Sequence, residues 1–120
     1  MVDAAGHYAL SVRRGPWFLV AGQTGENADG LSGDLEIETA QAVRNIAEVL
    51  DSAGVPLTAV VRTTCYLARI ADFKQFDRAY SRAFGASLPA RTTVGVAGLP
   101  DGALVEIEAT AYFGDAAGDR

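Results

Sequence analysis

The 120-residue chain is 49% hydrophobic and 21% charged, the composition of one globular domain large enough to bury a core without a disulfide or a structural metal, and too short for two. Acidic side chains outnumber basic ones by 15 to 10, for a net charge of −5, the wrong sign for attraction to phosphate backbones or anionic lipid, so neither nucleic acid nor membrane is expected as a partner. The lone cysteine, Cys65, and lone histidine, His7, exclude an intrachain disulfide and a His/Cys zinc centre and suit a reducing cytoplasm. Met1–Gly6 carries no readable export signal, and the longest apolar run, Trp17–Ala21, is far short of the roughly 20 residues that span a bilayer.

In chain order, His7–Arg13 alternates apolar and polar residues at period two, which predicts a half-buried strand. Gly15-Pro16 punctuates, and Trp17–Ala21 is a short aromatic and β-branched run that predicts a buried strand paired with the first. Gly22–Gly33 holds four glycines and no periodicity; it reads as a loop long enough to wall a site. Helical spacing runs from Ile37 to Ala53, with Ala40, Val43, Ile46, Ala47 and Leu50 on one stripe and Glu36, Glu38, Glu48 and Asp51 assigned to a solvated face. Gly54 and Pro56 end it. Leu57–Ile70 alternates again and predicts a long strand, with Cys65 on its apolar face as an inert core thiol. Asp72 with Gln75 forms a capping-box pattern ahead of a second helix carrying Phe73, Phe76, Tyr80, Ala83 and Phe84 up to Gly85. Arg91–Ala97 and Ala103–Phe113, separated by Gly98–Gly102, read as a hairpin with a longer loop, and a frayed tail is expected over 114–120.

The resulting order, ββ-α-β-α-ββ, predicts an α+β fold in which a mixed sheet carries both helices on one face. Matching apolar faces across the last hairpin sets Val94 opposite Ile107 and Val96 opposite Val105. That register puts Arg91, Thr93 and Gly95 on the same face as Glu106, Glu108 and Thr110. Two readings of this face stay open: a solvated surface with cross-strand ion pairs, or a surface covered by another subunit, since Trp17, Phe18, Val60 and Tyr66 make it incompletely polar. In the second case an arginine and a glutamate near the interface edge form an anion pocket with a base beside it.

The stretch Pro89-Ala-Arg-Thr-Thr-Val-Gly-Val-Ala-Gly-Leu-Pro100, followed by Val105-Glu-Ile-Glu-Ala109, resembles the signature of the Rid family, the reactive-intermediate deaminases also called RidA/YjgF. Gly22-Gln23 after a hydrophobic strand and Arg62-Thr-Thr64 before Tyr66 fit the same pattern, and the similarity runs from about Tyr8 to Phe113. The resemblance implies a chorismate-mutase-like fold, a homotrimer with clefts between neighbouring subunits, and cofactor-free hydrolysis of small carboxylate-bearing imines and enamines to 2-keto acids and ammonia. It further implies that Arg91 binds the substrate carboxylate, that Glu106 sits near the attacking water, and that Tyr8, Gly22 and Thr93 contact substrate. Three residues depart from the family pattern: Ala21 stands in place of a serine, Thr93 of a cysteine and Asp77 of an asparagine. They leave open a member dedicated to another imine, or a non-catalytic trimer that binds small carboxylates or partner proteins. A ribonuclease, the third reading attached to parts of the family, is disfavoured by the acidic charge.

Overall fold

A computed structural model describes residues 2–114; the tail expected over 114–120 lies, beyond Gly114, outside the described residues. The elements are β1 (Ser11–Arg14), β2 (Trp17–Thr24), α1 (Leu35–Asp51), β3 (Val60–Leu67), α2 (Phe73–Phe84), β4 (Ala90–Gly95) and β5 (Val105–Tyr112). They form one mixed sheet in the order β1-β2-β5-β3-β4. Both helices pack on the same face, as the α+β reading anticipates. Buried side chains of α1 (Val43, Ile46, Leu50) and α2 (Phe76, Tyr80, Phe84) meet Phe18, Val20, Cys65, Leu67, Ile107 and Ala111 from the sheet in one cluster. Burial pushes the Cys65 thiol up to about 11, which makes it inert as a nucleophile.

The helix ends follow local chemistry. Asp34 Oδ1 accepts from the Ile37 N–H at 3.0 Å, so α1 starts two residues before the expected Ile37, with its first-turn N–H satisfied by a capping carboxylate. At its other end the chain reverses through Gly54 at φ +74°, a conformation that penalises any side chain. The capping box expected at Asp72 and Gln75 is not made. Asp72 closes a short 3₁₀ turn, Ile70–Asp72, and its carboxylate lies 3.5 Å from Arg69 Nε instead. A hydrogen bond of 2.6 Å between Thr63 Oγ1 and the Tyr80 hydroxyl ties α2 to β3.

Glu38, assigned by its spacing to a solvated helix face, is buried. Its carboxylate accepts from Gly33 N–H and Leu104 N–H, each at 2.9 Å. It thereby clamps two loops to the start of α1, and these two backbone donors replace the water it gives up.

The largest correction concerns the last two strands. β4 and β5 do not pair. β4 runs parallel to β3 after the α2 crossover, and β5 enters the sheet antiparallel between β2 and β3. Gly98–Gly102 is therefore a link from the sheet edge to its centre and not a hairpin loop. Val94 lies beside Tyr66, while Ile107 lies beside Cys65 and Gln23. Parallel pairing sets Arg91, Thr93 and Gly95 beside Thr63, Cys65 and Leu67, on the side that meets the helices. Glu106 and Glu108 alternate with the buried Val105, Ile107 and Ala109 and so point from the opposite face. The expected co-location of Arg91 and Glu106 on one face does not occur within a single chain.

Candidate functional site

The five residues singled out for a site divide between two places. Tyr8, Gly22 and Glu106 line one cleft of about 700 Å³, together with Ala21, Gln23, Asn45 and other residues of the N-terminal segment, the β2–α1 loop and α1. The expectation that the glycine-rich loop walls a site agrees with Gly22, Glu26, Asn27 and Ala28 lining this cleft. Arg91 and Thr93 are absent from it: they lie on β4, at the far edge of the sheet, and face the helices, whereas Glu106 points from the opposite face.

The cleft owes its shape to an irregularity in β2. The pairing of β2 with β5 shifts between Val20 and Gln23, so the buried positions change phase from Phe18 and Val20 to Gln23. Such a bulge re-aims the side chains around it, and here it brings Gly22 against Glu106. A Cβ at position 22 would lie 2.2 Å from Glu106 Oε2, so only glycine leaves room for that carboxylate. Burial first, and the Glu108 carboxylate second, raise the Glu106 pKa above its ordinary value. Glu108 itself accepts from the Tyr66 hydroxyl. Asn45, absent from the residues expected at a site, secures the loop: its Nδ2 donates to Thr24 O at 3.0 Å and to Glu26 O at 2.9 Å. Like Glu38 and Thr39, it is a polar residue on the buried stripe of α1.

Asp3, Glu26, Glu48, Asp101 and Glu106 all line the cleft, and no Lys or Arg among the described residues does. Among the described residues, no Lys or Arg side chain in this cleft offers a positive charge to a carboxylate-bearing ligand.

Arg91 is built differently. Its guanidinium carbon lies 4.7 Å from the ring centroid of Tyr80, 5.3 Å from Phe73 and 5.4 Å from Phe76, an aromatic cradle supplied by α2 that fixes the cation. Nη1 is 2.7 Å from Asp77 Oδ1, so Asp77, one of the departures from the family pattern, sits directly on the arginine. Two residues along the same strand face, the Thr93 hydroxyl is shut from solvent with no hydrogen-bond partner. Burial pushes the Tyr80 phenol up to about 12, leaving it neutral beside the cation. His7 is exposed and Trp17 is 45% exposed, stacked edge-on against Tyr112; Trp17 belongs to the open sheet face and not to the core.

Residues 1–113 match the model of the family described as Endoribonuclease L-PSP. The solved structure of YyfA from Yersinia pestis, described as a member of the conserved Rid protein family, superposes with a TM-score of 0.86 at 35% identity, over 92% of this chain and 91% of that one. This chain belongs to the Rid family. The human 2-iminobutanoate/2-iminopropanoate deaminase is 38% identical to this Rid chain over 114 residues, 92% of this chain and 83% of that one. A RutC family protein of Pyrococcus abyssi is 38% identical over 110 residues, 89% and 87% of the two chains. Imine deamination is thus the named activity of some relatives in the family, and Arg91 and Glu106 of this Rid chain point from opposite faces of its sheet.

Proposed function

We propose that this protein hydrolyses small imines and enamines bearing a carboxylate, giving 2-keto acids and ammonia, at clefts formed between the subunits of a homotrimer. The observation that carries the proposal is the division of the site. A cleft with a base and, among the described residues, no Lys or Arg, and a cradled arginine that faces away from Glu106 at the far edge of the sheet, become one site only when Arg91 of one subunit meets Glu106 of its neighbour. The open sheet face offers a surface for this. Val12, Trp17, Leu19, Val94 and Tyr112 are exposed, an apolar patch of the kind that marks an interface.

In the assembled cleft Arg91 holds the carboxylate through its fork of donors, which fixes the C=N carbon beside the Glu106 carboxylate. Water adds to that carbon and gives a proton to Glu106. Glu106 then gives that proton to the carbinolamine nitrogen, the C–N bond breaks as the hydroxyl returns its own proton to Glu106 and the carbonyl forms, and ammonia leaves and takes up that proton. An enamine enters after proton uptake at its β-carbon gives the imine. The raised pKa of Glu106 strengthens it as a base. The chemistry asks for no nucleophilic side chain and no cofactor, because the iminium carbon is already electrophilic. The acidic cleft repels phosphates, which weighs against RNA as substrate.

The test is to generate 2-iminopropionate and 2-iminobutyrate with an amino-acid oxidase and follow their loss. The expected result is accelerated hydrolysis, whose acid limb falls at higher pH than an ordinary carboxylate would give. A folded trimer that leaves both rates at the uncatalysed value, yet binds 2-keto acids, would instead identify a carboxylate-binding protein. Gly22→Ala supplies a second check. The added methyl meets the flexible end of Glu106 rather than backbone, so the fold survives while the carboxylate is displaced, and kcat/KM should fall roughly 100-fold. Circular dichroism and steady-state kinetics on the variant measure both parts.

A further inference from the structure

The contact between Asp77 and Arg91 bears on which carboxylates the site takes. The two charges lie 2.7 Å apart, with side chains 48% and 21% exposed. Arg91 is held over the rings of Phe73, Phe76 and Tyr80, all on the helix that carries Asp77. The pair is therefore set by packing and is not a chance meeting of two surface side chains. A guanidinium has five donors, so one carboxylate oxygen on Nη1 leaves others open to a ligand. A ligand approaching this arginine meets a neutral pair and not an isolated positive charge. A plain monoanion gains the fork and loses against Asp77. A ligand with a protonated nitrogen next to its carboxylate satisfies both members, the carboxylate on Arg91 and the N–H on Asp77. The acidic lining of the Glu106 cleft has the same preference.

We propose that Asp77 is a specificity-determining residue that makes the Arg91 site selective for zwitterions, so that the ligand taken up is the protonated iminium acid and not the neutral enamine acid or the 2-keto acid. The inference rests on the reading of Arg91 as the carboxylate's partner. It also assigns Asp77 a part in turnover. Hydrolysis exchanges the charged nitrogen for a neutral carbonyl oxygen, which leaves a monoanion beside Asp77 and drives the product out.

The experiment is titration calorimetry of the assembled wild type, Asp77→Asn and Asp77→Ala with two stable probes of one three-carbon skeleton, L-alanine and pyruvate. Wild type is expected to bind L-alanine more tightly. Both variants should tighten pyruvate about tenfold, the effect of removing one nearby like charge, and weaken L-alanine, which reverses the preference. Equal weakening of both ligands would mean that Asp77 only holds Arg91 in place, and an unchanged ratio would mean it does nothing to selectivity; either overturns the proposal while leaving Arg91 as the carboxylate's partner. If no folded, assembled form binds either probe, the carboxylate site itself is wrong and the selectivity falls with it.

Discussion

Replacing Arg91 by alanine is expected to lower kcat/KM for a carboxylate-bearing imine roughly 100- to 1,000-fold, the size of effect seen when one partner of a desolvated charge pair is truncated. The loss should appear in substrate binding and in kcat together, because the same fork that binds the carboxylate orients the C=N carbon toward the base. Fold and assembly should persist. The side chain is 21% exposed and rests on three aromatic rings, so its removal uncovers ring surface and leaves Asp77 without its cation. A destabilisation of about 1–2 kcal/mol is expected from the lost packing and cation–π contact, measurable by urea titration. Arg91→Lys separates the two roles. Its charge remains, but a point cation cannot grip a carboxylate bidentately or lie flat on Tyr80, so activity should stay close to that of the alanine variant. Kinetics of Arg91→Lys near wild type would remove Arg91 from the site.

The fold class was legible because the hydrophobic periods are strong: α1 and α2 each bury one stripe, β5 alternates throughout, and β3 alternates from Thr63 to Leu67 after an irregularity between Val60 and Arg62. Strand pairing was not. Gly98–Gly102 has the residues of a turn, and a turn looks the same whether it joins neighbouring strands or leads from a sheet edge back to its centre. The strand-helix-strand unit β3-α2-β4 already favours parallel pairing, and weighing it would have released β5 to pair elsewhere. The error then propagated, since pairing decides which face a side chain shares. β4 misleads in its own right: as an edge strand it exposes Val94 and turns Arg91 toward the helices, the reverse of apolar-in alternation. The signal that could have corrected it is the run Phe73, Phe76 and Tyr80 on α2, an aromatic surface for which a guanidinium is a suitable partner. Strand register drew attention to Arg91 and Glu106 but joined them wrongly on one face of one chain, and family resemblance supplied their roles. Glu38 was missed because a buried carboxylate satisfied by backbone N–H groups of two loops, one just before α1 and one far along the chain, leaves no trace in helical periodicity.

Two inactive proteins should restore one another. If Arg91 and Glu106 act from different subunits, Arg91→Ala and Glu106→Gln, each inactive alone, should regain activity when unfolded together and reassembled, or when expressed together. In a closed ring each site takes its arginine from one chain and its glutamate from the next. A mixed trimer of either composition then contains one position where an intact Arg91 faces an intact Glu106, so random mixing should recover roughly a quarter of the wild-type sites. The recovered sites are wholly native, so they should show wild-type KM with a reduced apparent kcat, a pattern that partial rescue of a damaged site would not give. Within one chain no such recovery is possible, because every chain lacks one of the two groups. The proposed assembly is motivated by the same geometry: the two residues point from opposite faces of one sheet, and no Lys or Arg among the described residues lines the cleft that holds Glu106. A reassembled mixture that stays inactive, although mass spectrometry shows mixed trimers, would overturn the reading that Arg91 and Glu106 form one site across subunits.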